Sequence, residues 1–202
     1  MGPSSFIIIG ITLAVVAGIW YAYGAGFFKS ETVDMSADSP PNMLHQTIIS
    51  KPQLNTTEME YKIHDLINQQ RVANGLQPLG FDTKLAAIAR AHSQDMIDRN
   101  YFAHTTPDGK TLWDRYKEAD HYTCYGIGGE NIAKIQLYNF VTYTNNIPTY
   151  EWRSQDQLPE ISVNDWMQSL GHRTNILDSH WSNEGIGVSL SNDSSYITED
   201  FC

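Results

Sequence analysis

The stretch that decides the fold is Trp166-Met167-Gln168-Ser169-Leu170-Gly171-His172-Arg173-Thr174-Asn175-Ile176-Leu177. Just before it, Ser162 is a favourable N-cap for a helix. Apolar residues then recur at helical spacing and predict one buried helix face, formed by Val163, Trp166, Met167 and Leu170. Gly171 is suited to end that helix as a C′ glycine. We therefore expect His172 and Arg173 on irregular backbone just past a helix end, where a functional site can be built. The alternative is that His172 only caps the last carbonyls.

Two earlier segments also carry residues that could belong to a site, Tyr101-Phe102-Ala103-His104 and Gly128-Gly129-Glu130-Asn131-Ile132-Ala133. Together with the first stretch they resemble the CAP superfamily, the domain shared by cysteine-rich secretory proteins, antigen 5 and pathogenesis-related 1 proteins. The likeness is closest to the shorter prokaryotic branch, the SCP domains. It continues through Trp181, Gly185-Ile186-Gly187-Val188 and Tyr196-Ile197-Thr198-Glu199-Asp200-Phe201, and it covers residues 58–202 in the same order.

The resemblance implies an α/β fold, a three-layer α-β-α sandwich with a small, mostly antiparallel sheet between helices. The helices and strands predicted from local sequence patterns are consistent with this fold. A capping box at Thr57-Glu58-Met59-Glu60 predicts one helix start, and Asp82 predicts another. A short helix is expected over residues 111–119, and strands over residues 126–133, 184–190 and 196–201. Residues 135–160 form an aromatic-rich insert compared with the compact prokaryotic pattern, which either walls the cleft or packs on its own domain.

In the family two histidines and two glutamates usually line a central cleft. The resemblance places the first histidine at His104, the first glutamate at Glu130 and the second histidine at His172. The position of the second glutamate is Ser169, which removes one carboxylate. Asn131 and Arg173 are expected to surround this group as further residues of the ligand-binding cleft. His92, on an apolar helix face, is expected to be a core histidine that donates to a backbone carbonyl.

Three kinds of chemistry are open to His104, Glu130 and His172. They could hold a divalent transition metal such as zinc with one position open, because imidazoles and a carboxylate are typical zinc ligands. They could act as general acids and bases, or form a structural hydrogen-bond network. No nucleophile motif accompanies them. We therefore expect a binding module for a lipid, peptide or metal ion rather than an enzyme. The alternatives are a metal-assisted hydrolase of envelope peptides or esters, and a structural cell-surface interaction domain.

The N-terminal residues 6–28 contain no charged side chain and are long enough to span a bilayer. They predict a single transmembrane helix within residues 1–28, with a cleaved signal peptide as the alternative. Residues 29–56 are polar and carry prolines, which is typical of a flexible linker, and the domain follows over residues 57–202. With the family likeness, this predicts a cell-membrane protein whose CAP domain lies on the extracytoplasmic side.

The sequence contains two cysteines, Cys124 and Cys202. In an exported domain they suggest a disulfide between the segment before the first strand and the end of the last one; two free thiols are the alternative. The formal net charge of −10 argues against nucleic acid as a partner, because phosphates would be repelled.

Overall fold

The computed structural model describes residues 50–119, 124 and 128–202, which fold into five helices and six strands within those ranges. The helices are α1 (Thr56–Ala73), α2 (Thr83–Asp98), α3 (Leu112–Glu118), α4 (Gln157–Gln168) and α5 (Leu170–Ile176). The strands are β1 (Gly80–Phe81), β2 (Gly129–Gln136), β3 (Tyr138–Thr144), β4 (Ile147–Trp152), β5 (Asn183–Leu190) and β6 (Ser194–Phe201). The predicted span at residues 6–28 lies outside these ranges. Inside them, no helix has the length and apolarity needed to cross a membrane.

A four-stranded sheet in the order β1-β5-β6-β2 forms the middle layer. The short β1 runs parallel to β5, and the remaining pairs are antiparallel. Side chains alternate between the two faces along each strand. The register pairs Glu130 with Asp200 on one face, and Asn131 with Glu199 on the other. Consecutive polar residues of β2 therefore face two different helical layers.

Helix α2 covers the first face at very short range, and two glycines of β5 make this possible. A Cβ atom on Gly187 would lie 1.9 Å from the backbone nitrogen of Arg90, and one on Gly185 would lie 2.2 Å from that of Ala86. Ser93 of α2 donates to the carbonyl of Gly187 at 2.9 Å. The glycines in the segment Gly185-Ile186-Gly187-Val188 therefore allow α2 to pack closely against the sheet, and they do not form a turn.

The opposite face carries the main hydrophobic core, built between the sheet and helices α1, α4 and α5. Its buried residues include Met59, Ile63, Ile67, Val163, Trp166, Ile176, Ile186, Val188, Ile197 and Phe201. Trp166 is the largest of them, and its indole nitrogen donates to the carbonyl of Ile132 in β2 at 3.2 Å. The predicted α-β-α sandwich and its mostly antiparallel sheet are confirmed.

The boundaries predicted around Trp166 are wrong. The helix begins at Gln157, five residues before Ser162, which is buried inside it and donates to the carbonyl of Leu158 at 2.7 Å. Pro159 reads as a helix breaker, but in the first turn its missing N–H has no helical partner to lose. The helix ends at Gln168, because Ser169 adopts an extended conformation with ψ of 124°.

Gly171 therefore does not terminate α4, and His172 and Arg173 are not on irregular backbone. All three belong to the short helix α5, which starts directly after Ser169. Leu170, predicted to face the core, is 72% exposed. The break before it rotates the α5 residues away from the face that Val163 and Trp166 bury. No local feature of the sequence marks Ser169 as the breaking residue.

Two other predicted boundaries shift. The side chain of Asn55, rather than Thr57, caps α1 by accepting from the amide of Glu58. Strand β2 runs to Gln136, beyond the end predicted at residue 133. In α3, Trp113 is 41% exposed, whereas Tyr116 is buried.

The aromatic-rich insert forms a separate two-stranded antiparallel hairpin of β3 and β4. Asn145 and Asn146 make its turn with φ angles of 53° and 63°, the left-handed conformation that a two-residue hairpin turn requires. The hairpin starts at the Gln136 end of β2, about 20 Å along the strand from Glu130. It therefore does not extend from the end of β2 that carries Glu130.

The two cysteines lie at disulfide-bonding distance, as predicted. The Cα atoms of Cys124 and Cys202 are 5.1 Å apart, within the usual range for a disulfide. The link ties the segment before β2 to the residue that follows β6, across 78 positions of the chain. The backbone of Cys202 also bonds to Asn183 in both directions, which fastens the chain end to β5.

Candidate functional site

Glu130 is the centre of the candidate site, on the edge strand β2 at the end nearest α3. Its side chain is almost fully buried, yet both carboxylate oxygens have partners. Oε1 lies 2.7 Å from Nδ1 of His104, and Oε2 accepts from the Arg115 guanidinium. Arg115 also donates from Nη1 to the backbone carbonyl of His104 at 2.9 Å. One buried ion pair thus fixes both the ring and the backbone of His104.

His104 itself is accessible, with 56% of its side chain exposed. It lies in the loop between α2 and α3, and that loop is braced by Arg99, which bonds to Asp108 at 2.7 Å and to Asp95 of α2. An imidazole with Nδ1 bound to a carboxylate has its orientation set and its Nε2 available for another partner. The structure therefore presents one oriented, solvent-accessible imidazole nitrogen.

His92 is the buried core histidine that the sequence predicted. Its Nε2 lies 3.1 Å from the carbonyl of Ala103, the residue before His104. The same nitrogen is 3.8 Å from Oε2 of Glu130. Burial lowers the pKa of the His92 imidazole, and the Arg115 charge lowers it further, so the ring is neutral at physiological pH. His92 thus supports the His104 loop from behind.

His172 approaches the site from the other helical layer, in the first turn of α5. Burial lowers the pKa of its imidazole, and the charge of His104 lowers it further. Its backbone carbonyl accepts from Nδ2 of Asn131 at 3.3 Å. The structure therefore brings His104, Glu130 and His172 to the same strand edge, with Glu130 bonded to His104.

The other two residues predicted for the cleft, Ser169 and Arg173, hold the junction between α4 and α5. The carbonyl of Ser169 accepts from the amide of Arg173 at 2.9 Å. The Arg173 guanidinium donates to the carbonyl of Met167 at 3.0 Å, near the end of α4. These contacts stabilise the helix break that precedes His172.

Asn131 begins a second polar network, on the opposite face of the sheet from Glu130. Its Nδ2 donates to Oε2 of Glu199 at 2.9 Å, and its Oδ1 accepts from Asn175 of α5 at 2.9 Å. Asn175 also donates to the backbone carbonyl of Glu130 at 3.1 Å, and its own carbonyl accepts from Trp181. This network fastens α5, and with it His172, to the edge strand.

The network continues into the core through a pair of fully buried carboxyl groups, Glu184 and Glu199. Oε1 of Glu184 lies 2.5 Å from Nδ1 of His64 in α1. Burial raises the pKa of Glu184 to about 8, and burial together with the Glu184 charge raises that of Glu199 well above its ordinary value. On the other face, burial and the neighbouring Glu130 raise the pKa of Asp200.

Sequence reasoning missed most of these supporting residues. Arg115 lies in a short helix with no motif around it, and His64 reads as an ordinary position of α1. Glu199 and Asp200 belong to the segment that resembles the family, but nothing local shows that both are buried. The signal that could have found them is the strand alternation itself, which assigns one acidic residue to each covered face of the sheet.

The metal prediction is the least supported by this geometry. Among residues 50–119, 124 and 128–202, no three His, Cys, Asp or Glu side chains group in a way that could hold a metal ion. Both Glu130 oxygens are already bonded, one of them to a cation. Glu130 therefore fits the position of a residue that orients His104 better than that of a ligand.

A separate cavity of about 770 Å³ lies between α2, α3 and the His104 loop. Small apolar side chains and paired ions form its walls. Its lining includes Ala87, Ile88, Ala91, Lys84, Asp95 and Glu118, with His92 and Arg115 also on the wall. The cavity thus borders His92 and Arg115, the two residues that hold the backbone of the His104 loop.

Comparison with known proteins gives consistent matches. The model of the CAP family, described as the cysteine-rich secretory protein family, matches residues 64–201. The uncharacterized protein YkwD of Bacillus subtilis (strain 168) is 38% identical over 128 residues, 63% of this chain and 41% of its own. The uncharacterized membrane protein YlbC of the same organism is 34% identical over 145 residues, 72% of this chain and 34% of its own. The chain therefore spans less than half the length of these relatives.

Two solved structures share the fold. An extracellular protein with an SCP domain from Bacillus anthracis str. Ames superposes with a TM-score of 0.53 at 29% identity, over 72% of this chain and 40% of that one. An outer surface protein from Borrelia burgdorferi superposes with a TM-score of 0.56 at 16% identity, over 75% of this chain and 97% of that one. At that identity the second match concerns the fold alone.

Proposed function

The chain belongs to the CAP family of cysteine-rich secretory proteins, and we propose that it is a binding domain outside the cytoplasm whose cleft takes a small ligand at His104 and His172. The location is supported by the disulfide pair and by relatives named as extracellular and membrane proteins. No reaction is part of the proposal. The residues around the two imidazoles bond to each other, and none of them supplies an activated nucleophile.

One observation carries this proposal: an exposed imidazole is held by a buried ion pair. Burying Glu130 and Arg115 requires several kcal/mol of desolvation, which their mutual attraction must offset. A domain that needed only stability would do as well with apolar side chains at both positions. The pair instead fixes the orientation of His104 at the surface, which is useful when a partner binds to Nε2.

Native mass spectrometry of the full chain, purified in detergent from its own cell envelope, tests the proposal. We expect a bound mass that is released on denaturation. The double variant His104→Ala, His172→Ala should lose it. His180→Ala is the matched control, because His180 is exposed and, among the described residues, bonds to nearby Asp178. A wild-type chain with no bound mass, or a bound mass retained in the double variant, contradicts the proposal.

A transition metal is the second candidate ligand, and the hydrogen bond between Glu130 and His104 favours it. Histidines that bind metals usually donate their other ring nitrogen to a carboxylate or carbonyl, which sets the tautomer. In this arrangement His104 and His172 would supply two nitrogen ligands and leave the remaining positions open. Two neutral nitrogen ligands suit zinc, copper or nickel better than calcium or magnesium.

Calorimetric titration of zinc into the full chain at pH 7.5 and pH 5.5 tests this candidate. Binding should weaken at the lower pH, because imidazoles must be neutral to bind a metal. It should disappear in the double histidine variant and persist in His180→Ala. Binding that persists in the double variant places the metal elsewhere, and no binding at pH 7.5 removes the metal, and with it the metal-assisted hydrolase, from consideration.

A further inference from the structure

The hairpin of β3 and β4 carries exposed apolar side chains. Tyr143 and Ile147, next to the turn, are 70% and 67% exposed, and Phe140, nearer the base and opposite Glu151, is 53% exposed. Charged residues make up 18% of the chain, but residues 138–150 contain none. Exposed apolar side chains that cluster on a projecting element usually mark a surface that contacts something else.

The apolar side chains lie on both faces of the hairpin. In the register, Tyr143 pairs with Pro148 on one face, while Thr144 pairs with Ile147 on the other, which Phe140 shares. A protein partner that covered one face would leave the other in water. A medium that surrounds the tip on all sides covers both faces, and the apolar side of a bilayer interface is such a medium.

The base of the hairpin is rigid, and it lies beside the point where the chain enters the domain. Tyr138, Tyr150 and Trp152 pack their rings together, with Tyr150 stacked on Trp152 at a centroid distance of 4.8 Å. Lys51 places its ammonium group 5.9 Å from the centre of the Trp152 ring and donates to the carbonyl of Asn192 at 2.9 Å. The segment that precedes the domain therefore joins it at the hairpin base.

We propose that the hairpin tip inserts into the interfacial layer of the bilayer to which residues 6–28 are predicted to anchor the chain. A flexible linker of the length predicted for residues 29–49 would have an average end-to-end distance of about 25 Å. The hairpin arm, six to seven residues long, extends about 20 Å. Because Lys51 packs on the hairpin base, such a linker would allow the tip to reach the surface that holds the predicted anchor.

The side chains of the tip suit an interface rather than the hydrocarbon core. Tyrosine is enriched at the level of the lipid headgroups, where its ring is apolar and its hydroxyl remains wet. Asn145 and Asn146 at the turn, with Thr142 and Thr144, keep hydrogen-bonding partners among headgroups and water. Phe140 and Ile147 supply the apolar contact. The absence of charge also avoids repulsion between an acidic chain and anionic lipid.

This arrangement would fix the direction of the candidate cleft. The hairpin leaves the sheet at the Gln136 end of β2, and Glu130 lies about 20 Å away near the other end. Insertion of the tip would therefore turn His104 and His172 away from the membrane surface. The inference is independent of what the cleft binds, but it does require the predicted anchor.

Site-directed spin labelling tests the proposal in the full chain reconstituted into phosphatidylcholine vesicles. A nitroxide is attached at Thr144→Cys on the tip or at Lys117→Cys, an exposed α3 position near the other end of β2. We expect oxygen, which concentrates in lipid, to relax the label at 144, and a water-soluble nickel complex to relax the label at 117. The preference for oxygen at 144 should be lost in the triple variant Phe140→Ser, Tyr143→Ser, Ile147→Ser.

Several results would overturn the proposal. The label at 144 could respond to nickel as strongly as the label at 117, which places the tip in water. It could be shielded from both reagents, which points to a protein partner or a second copy of the chain. A full chain that does not associate with vesicles removes the bilayer as the partner. An unchanged oxygen preference in the triple variant, with the unfolding temperature preserved, shows that the three side chains are not the contact.

Discussion

Replacing Glu199 by glutamine should stabilise the domain at neutral pH. Glu184 and Glu199 are both fully buried, and one carboxyl oxygen of each has no hydrogen-bond partner among the described residues. The charge of Glu184 raises the pKa of Glu199, so we expect the two neighbouring carboxyl groups to hold at least one proton between them at neutral pH. The second oxygen of Glu199 accepts from Asn131, and Glu184 lies against His64. A glutamine at 199 keeps an oxygen for Asn131 and offers its own N–H to Glu184, so it takes the place of the proton.

The size of the effect follows from proton linkage. Burial and the charge of Glu184 raise the pKa of Glu199 in the folded state well above the ordinary glutamate value of 4.5. Between these two values the folded state binds more protons than the unfolded state, so stability falls as pH rises through the window. At 1.36 kcal/mol for each pH unit, holding one proton from pH 4.5 to pH 7 costs about 3 kcal/mol. The substitution should recover up to that amount at pH 7 and almost none at pH 4.5.

Thermal unfolding of the detergent-solubilised chain, followed by near-UV circular dichroism with the disulfide intact, measures this directly. For a domain of this size, about 3 kcal/mol corresponds to a rise of about 6–12 °C in the unfolding temperature. Buried histidines such as His64, whose pKa burial lowers, change stability in the opposite direction below pH 6.5. The difference between variant and wild type isolates the carboxyl pair from that background. Glu118→Gln, at an exposed glutamate, is the control and should show no such pH dependence.

The reasoning is refuted by either of two results. A stabilisation of equal size at pH 4.5 and pH 7 would mean that the gain comes from packing or hydrogen bonding and not from the proton. A loss of stability at pH 7 would mean that Glu199 is ionised in the folded state and that its charge is needed there.

Three further predictions concern the packing and the links between layers. Arg115→Ala leaves Glu130 buried without its cation and should destabilise the domain by about 3–5 kcal/mol, measured by urea unfolding at pH 7; a loss below 1 kcal/mol contradicts a buried pair. Gly187→Ala forces a methyl group into the backbone of α2 and should destabilise by about 1–3 kcal/mol or more, whereas Gly171→Ala, with nothing within 4 Å, should stabilise α5 slightly; equal effects refute the close approach. Reducing the disulfide should lower stability by about 4 kcal/mol, because the loop that it closes is long; an unchanged unfolding temperature after reduction shows that the link contributes nothing.

Much of the layer architecture could be read from the chain because periodicity is a local signal. The spacing of Met59, Ile63 and Ile67 identifies the buried face of α1, and strands were predicted at the positions of β5 and β6, although nothing local shows that both of their faces are covered. Element ends were less predictable. Ser169 breaks a helix although no glycine or proline stands there, and Pro159 is accepted because it falls in a first turn. Both outcomes depend on packing between elements and not on the residues next to them.

The candidate site, like the fold, was predictable only in part. The resemblance identified His104, Glu130 and His172, and the structure brings them to one strand edge. It could not identify Arg115, which no motif surrounds, or the pair His64 and Glu184, because these two residues are 120 positions apart in the chain. A pairwise contact of that kind leaves no periodic trace. It becomes visible only when the sheet register and the helix placement are both known.

The two candidate ligand residues are held by different networks, and the strand alternation of β2 joins them. Glu130, on the α2 face, holds His104 together with Arg115. Asn131, the next residue, faces the opposite layer, where it bonds to the carbonyl of His172 and to Glu199. The two histidines are therefore tied to consecutive residues of β2 that face different helical layers. A change in the buried carboxyl pair should therefore move His172 and leave His104 in place, whereas a change at Arg115 should do the reverse.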